Sequence, residues 1–373
     1  MKNNLIEFIR TKDFRFVKNI GQGGTGKTVL LKDEIINEFF VCKKYSPFNE
    51  LDKEKYFKNF LDEIRILHSL YHWNVVRVFN YYLYPELQTG YILMEFIKGI
   101  QIYDYIKTNP DRLNSIFVQT IEGFRYLEEN NILHRDIRPD NILVSEDGVV
   151  KIIDFGFGKR IEFGDDYDKS ITLNWRYSIP DEFNVKQYDF RTEVYFVGKL
   201  FEEIIRDYKL ENFAYPKILG EMINTNYDKR VHSFFEVSRK ILADSSDTIE
   251  FSYDEKQTYQ SFAFGLEKVF SKMCNDAEYN SNLDTIIMDL DNIYRNSILE
   301  DLIQNPNKIA SCFVKGEFFY NKDVEIYVET LKSFLNILKS VSLDKKKIIL
   351  NNLWQRLDKI KRYTRNTDED LPF

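Results

Sequence analysis

The chain opens on alternation. In "DFRFVKNIG" apolar and polar residues take turns, which predicts a strand, and "EFFVCKKY", Glu38 to Tyr45, predicts another from its aromatic and β-branched content. Between them "VLLKDEIINE" fits either a strand and turn or a helix, because Leu31, Ile35 and Phe39 recur every four residues. Past Pro47 the period changes. "LDKEKYFKNFLDEIRILHSLYH" puts Tyr56, Phe60, Glu63, Leu67 and Leu70 on one helical face, so a carboxylate lies in an apolar stripe. Such a charge is costly unless it is paired or escapes to water at the stripe's edge.

"GYILMEFIKG", Gly90 to Gly99, reads as a buried strand running into a glycine break. "NSIFVQTIEGFRYLEENN" and "VYFVGKLFEEIIRDY" carry helical spacing. Between them Ile132 to Asp181 is non-periodic and rich in charge and glycine, the kind of stretch that tends to carry function. From about Thr248 onward the pattern is helical again. Val328, Leu331, Leu335, Leu338 and Val341 form one stripe, and Ile349, Leu353, Leu357 and Ile360 another.

At 373 residues the chain predicts two or three domains. A hydrophobic fraction of 43% with 30% charged residues describes a soluble globular protein, and a net charge of -7 argues against nucleic acid as the main partner. No run is apolar enough for a secretory signal or a membrane span, and Cys42, Cys274 and Cys312 are odd in number and far apart. They read as buried thiols in a reducing, cytoplasmic compartment.

"IGQGGTGKTVLL" fits two phosphate-binding patterns. Gly21, Gly26, Lys27 and Thr28 spell the P-loop, and Gly21, Gly23 and Gly26 spell a G-x-G-x-x-G loop. The first would lead into a helix and use its own lysine; the second is a hairpin tip whose lysine comes from the next strand. "ILHRDIRPDNILV" and "VVKIIDFGFGKR" bear on the choice. His134, Arg135, Asp136 and Asn141 match H-R-D-x-x-x-x-N, and Asp154, Phe155 and Gly156 match D-F-G. "VCKK" supplies Lys43, the apolar-face carboxylate is Glu63, "RYSIPDEF" is similar to A-P-E, and "YDKRV" supplies Arg230. In these residues, from about Phe14 to Ser245, the chain resembles the protein kinase family, Ser/Thr type. The P-loop reading leaves His134 to Asn141 and Asp154-Phe155-Gly156 without a role.

The resemblance implies an α+β, bilobal fold. Residues 14–97 would be a small antiparallel-sheet lobe with one helix and 98–245 a mostly helical lobe. They would follow a short N-terminal segment, 1–13, and precede an all-α domain, 246–373. It implies an ATP- and Mg²⁺-dependent kinase acting on Ser/Thr hydroxyls of a protein. The glycines would cover the phosphates, Lys43 would hold them and Glu63 would hold Lys43. Asn141 and Asp154 would bind Mg²⁺, whose preference is for hard oxygen ligands. Asp136 would take the hydrogen bond of the attacking hydroxyl, with Arg138 adding charge near the γ-phosphate. Met94 would flank adenine, backbone groups of Glu95 and Ile97 would bind its edge, and Leu143 would pack on its face. His134 would be a packed core residue.

The sequence departs from the family at named places. Thr28 and Val41 replace the usual valine and alanine of the nucleotide pocket, and Glu193 replaces the aspartate that braces the H-R-D backbone. Asp181 stands at the A-P-E glutamate with Glu182 beside it, and either could pair with Arg230. The stretch from Glu193 to Arg230 is short for the family, which keeps a small-molecule phosphotransferase as a rival; a silent nucleotide-binding scaffold is another. Tyr167, Ser170 and Thr172 are candidate phosphorylation sites opposite Arg135. The C-terminal region, acidic over Asp276 to Asp301 and basic over Lys345 to Arg365, reads as a solvated helical surface or a module that recruits a partner protein.

Overall fold

A computed structural model describes residues 13–23, 26–45, 53–156, 158–160, 177–245 and 249–364. The chain divides into two compact units, Met1–Ser238 and Arg239–Phe373.

The first unit begins with strands β1 (Arg15–Gly23), β2 (Gly26–Asp33) and β3 (Glu38–Tyr45), helix α1 (Lys53–Ser69), and strands β4 (Val78–Tyr84) and β5 (Thr89–Glu95). The strands make one antiparallel sheet in the order β1-β2-β3-β5-β4. The ambiguous "VLLKDEIINE" is strand and turn. Asp33 Oδ1 accepts the Ile35 N–H at 3.0 Å, and Asn37 takes the left-handed conformation at φ 56. A side chain that captures local N–H groups favours a turn over a helix. Ile35 is 88% and Phe39 41% exposed while Leu31 is half-buried, so the three residues do not form one buried helical face. On α1, Phe57, Phe60, Ile64 and Leu67 are buried, and Phe60 packs on Tyr45 with ring centroids 5.2 Å apart.

The chain continues through β6 (Gly99–Gln101), α2 (Ile102–Thr108), α3 (Leu113–Glu129), β7 (Ile132–Leu133), β8 (Ile142–Ser145), β9 (Val150–Ile152), β10 (Lys159–Arg160), α4 (Phe190–Tyr208), α5 (Pro216–Met222) and α6 (Phe234–Ser245). Aromatic packing fixes α3 against α4 and the segment after it: Phe117 lies 4.9 Å from Phe201 of α4 and 5.1 Å from Phe213 beyond it, centroid to centroid. Helix α4 starts earlier than its apolar run because Asp189 caps it. The Asp189 carboxylate accepts the Thr192 N–H at 3.1 Å while the Thr192 hydroxyl accepts the Asp189 N–H at 3.3 Å. The Glu128 carboxyl accepts the N–H groups of Phe234 and Phe235 where α6 begins, and burial pushes its pKa up to about 7.

The second unit holds α7 (Tyr253–Val269), β11 (Phe270–Cys274), β12 (Glu278–Tyr279), α8 (Leu283–Asn296), α9 (Pro306–Phe313), β13 (Val314–Lys315), β14 (Phe318–Tyr320), α10 (Val328–Ser340), α11 (Leu343–Leu357) and β15 (Arg362–Tyr363). Phe262 of α7 stacks on Phe334 of α10 at 3.8 Å. The expected helices are present, but the region is not all-α. Short strands join β14-β11-β15 and β12-β13, and two- to five-residue strands are too brief to leave a readable alternation. Several of its charges pair inside the unit: Asp291 with Arg295 and Lys339, Lys345 with Glu255 at 2.8 Å, Arg239 with Asp358 at 2.9 Å. All three cysteines are buried thiols, and burial pushes Cys42 up to about 11 and Cys312 up to about 12. Among the described residues no helix is long and apolar enough to cross a membrane.

Candidate active site

The glycine-rich segment is the tip of the β1–β2 hairpin, where Gly23 pairs with Gly26. Gly26 leads into a strand, and Lys27 is an exposed residue of that strand opposite Lys44. Among the described residues no helix begins here: Gly26 opens β2, which is not the strand-to-helix turn of a P-loop. The glycines have different reasons. A Cβ on Gly26 would lie 2.4 Å from the Lys44 carbonyl oxygen, so close strand packing demands glycine; a Cβ on Gly21 would meet nothing within 4 Å.

Lys43 on β3 and Glu63 on α1 meet under this hairpin. The Lys43 Nζ donates to Glu63 Oε1 at 2.6 Å and to Asp154 Oδ1 at 2.9 Å. Glu63, with 3% of its side chain exposed, is the carboxylate on the apolar face, and pairing rather than escape to water explains it. Burial alone would lower the Lys43 pKa, but the Asp154 and Glu63 carboxylates outweigh it and hold the ammonium above the usual lysine value. The Lys43 charge, opposed by burial, holds the Asp154 carboxyl down at about 2. Asp154 sits in the left-handed region at φ 61, a strained conformation for a non-glycine residue.

The H-R-D segment is held from below. His134 is 1% exposed and its ring packs 4.9 Å from Phe155. Its Nδ1 accepts the Asp136 N–H at 3.3 Å, which leaves Nε2–H to donate to the Ile153 carbonyl at 3.0 Å. That is a neutral imidazole, and burial lowers its pKa accordingly. Glu193 Oε1 accepts the Arg135 N–H at 2.7 Å, so the longer side chain still reaches the H-R-D backbone. Burial pushes the Glu193 carboxyl up to about 8.

Asn141 Nδ2 donates to the Asp136 carbonyl at 2.8 Å and to Asp136 Oδ2 at 2.6 Å, and Arg138 Nε lies 3.4 Å from the same oxygen. Asp136 Oδ1 is buried and has no hydrogen-bond partner among the described residues. The Ile153 N–H donates to the Asn141 carbonyl at 2.9 Å, which ties this loop to Asp154.

A cleft of about 830 Å³ runs from Lys43, Glu63 and Asp154 to Met94, Glu95, Ile97 and Leu143. All four expected adenine-pocket residues therefore share a cavity with the charged trio. Thr28 and Val41 line its roof with Ile20; Gly21 and Gly26 are not among its lining residues. Sequence reasoning missed the side-chain partners of Glu95: the Arg77 N–H at 2.7 Å and the Lys151 ammonium at 2.8 Å. It also left open the partner of Arg230. Glu182 holds it at two points, 2.6 and 3.0 Å, while Asp181 is exposed. Tyr167, Ser170 and Thr172 lie outside the described residues.

Residues 14–277 match the family described as protein kinase domain. Three curated relatives show the range of likeness. The "Probable serine/threonine-protein kinase MRK1 homolog" of Encephalitozoon cuniculi is 32% identical over 200 residues, 51% of this chain and 59% of that protein. The serine/threonine-protein kinase shk1/pak1 of Schizosaccharomyces pombe is 30% identical over 194 residues, 51% of this chain and 28% of that protein. The Aurora kinase of Saccharomyces cerevisiae is 27% identical over 242 residues, 64% of this chain and 63% of that protein. The chain thus spans less than two thirds of each of these relatives.

Proposed function

Because the chain belongs to the protein kinase domain family, we propose that it transfers the γ-phosphate of ATP to serine and threonine hydroxyls of protein substrates. The observation that carries this reading is the bridging Lys43 ammonium, 2.6 Å from Glu63 and 2.9 Å from Asp154, at one end of a cleft of nucleotide size. A fixed cation there suits the α- and β-phosphates of a nucleotide whose base lies between Val41 and Leu143.

The donor set suits Mg²⁺: the Asp154 carboxylate and the Asn141 side-chain oxygen are hard ligands, and Asn141 turns its amide nitrogen to Asp136. When bound, Mg²⁺ would neutralise charge on the phosphates. The chain's own groups do the rest. Asp136 Oδ1, buried and unpartnered among the described residues, is placed to accept the substrate hydroxyl's hydrogen bond. As the hydroxyl oxygen bonds to the γ-phosphorus, the bond to the β,γ-bridging oxygen breaks, ADP departs and the hydroxyl proton is directed to Asp136. Arg138, beside Asp136, adds positive charge where the transferring group carries negative charge.

Radiolabelled ATP with Mg²⁺ and a generic protein substrate, run beside an Asp154→Ala control, tests the reading. Label on serine or threonine of the substrate that vanishes in the control supports it. Label on small molecules alone, or ATP binding without transfer, overturns it.

A further inference from the structure

Glu95 is the residue at which β5 leaves the sheet, and its side chain does not face the nucleotide alone. Three attachments hold it. Its own N–H donates to the Arg77 carbonyl at 3.0 Å, and Arg77 N–H donates back to Glu95 Oε1 at 2.7 Å. The Lys151 ammonium donates to both carboxylate oxygens, at 2.8 and 3.1 Å. The lysine and the glutamate are mostly buried, 15% and 23% exposed, so this is a charge-assisted contact largely shielded from water.

The partners belong to elements that are themselves joined. Lys151 is the middle residue of β9, and β9 is hydrogen-bonded to the segment before β4. Val76 N–H donates to the Ile152 carbonyl at 2.9 Å, Ile152 N–H to the Asn74 carbonyl at 2.8 Å, and the Asn74 amide to the Val150 carbonyl at 3.0 Å. The Lys151 stem also lies by Trp73, its ammonium 5.8 Å from the ring. Glu95 is therefore fixed at once to the sheet side, through Arg77, and to β9, through Lys151. Glu95 and Ile97 both line the cleft.

We infer that Lys151 is a positioning residue for nucleotide binding: through Glu95 it pre-sets the backbone between β5 and β6 that receives the base. The inference rests on the kinase reading above. A backbone already ordered in the binding geometry loses less freedom when the ligand arrives, so the pin acts on affinity for the base moiety and not on the chemical step.

The test compares the full-length protein with Lys151→Met, Lys151→Arg and Glu95→Gln. Equilibrium dissociation constants are measured for Mg-ATP and for adenosine, which carries the base without phosphates, alongside KM for ATP and kcat. Lys151→Met is expected to raise both dissociation constants and KM by about three- to tenfold, with kcat within about twofold of wild type. Lys151→Arg keeps the cation and is expected to restore adenosine affinity; Glu95→Gln, which keeps an acceptor for Arg77, is expected to raise the adenosine dissociation constant as Lys151→Met does. Unchanged adenosine binding in Lys151→Met, no recovery in Lys151→Arg, or a rise in kcat that marks the pin as a restraint on catalysis would each overturn the inference. Wild-type protein that binds neither ATP nor adenosine would instead overturn the kinase reading on which it stands.

Discussion

Glu182 and Arg230 make a two-point ion pair with both side chains almost wholly removed from solvent, 2% and 0% exposed. Arg230 further donates to the carbonyls of Asn224, Thr225 and Arg191. Its charge is satisfied on every side, and the pair pins the segment before α4 to the segment before α6.

Removing one partner leaves a buried guanidinium without its counter-ion. Glu182→Ala should cost about 3–5 kcal/mol of unfolding free energy. Asp181→Ala, at an exposed neighbour, should stay within about 0.5 kcal/mol of wild type. Urea denaturation of both variants checks this, and equal losses would show that the pair contributes nothing special.

The glycine loop predicts a contrast of another kind. Gly26→Ala forces a methyl to 2.4 Å from the Lys44 carbonyl oxygen and should destabilise the sheet by about 1–3 kcal/mol. Gly21→Ala meets open space and should unfold within about 0.5 kcal/mol of wild type. Thermal melts of the two variants distinguish steric need from phosphate access.

Glu193 gives a pH dependence with a definite sign. Its carboxyl rises, through burial, from about 4.3 in an unfolded chain to about 8 in the fold. Between those values folding takes up a proton, so stability falls as pH climbs through the window. Glu193→Gln cannot titrate there. The stability of Glu193→Gln relative to wild type should improve from pH 5 to pH 8 in denaturant titrations. A constant difference across that range would mean Glu193 does not titrate there.

Lys43→Ala removes the cation shared by Glu63 and Asp154. Turnover should fall by about 10²–10³-fold, the scale of losing one preorganised electrostatic contact. Single-turnover phosphoryl transfer measures it, and an undiminished rate would assign the phosphate contact to another residue.

Much of this site was legible in the sequence because its chemistry conflicts with its surroundings. Glu63 stood out as a carboxylate in an apolar stripe, and the fold answers with Lys43. His134, Asp136, Asn141 and Asp154 stood out as polar residues at fixed spacing in a stretch without periodicity. What stayed hidden depends on three-dimensional register. Whether Asp181 or Glu182 meets Arg230 turns on one residue's rotation within a short 3₁₀ segment. Lys151 gave a strand alternation like any other, and nothing along the chain linked it to Glu95. The strands among the C-terminal helices were too short to print a pattern of their own.

The proposed function requires Lys43, Glu63, Asp136, Asn141 and Asp154 to converge on one Mg-nucleotide. The most direct test is a crystal grown with Mg²⁺ and a non-hydrolysable ATP analogue. Asn141 and Asp154 oxygens should lie about 2.0–2.1 Å from Mg²⁺, with Lys43 on the α- and β-phosphates and the base between Val41 and Leu143. Phosphates gripped by Lys27, or a nucleotide bound away from Asp154, would contradict it.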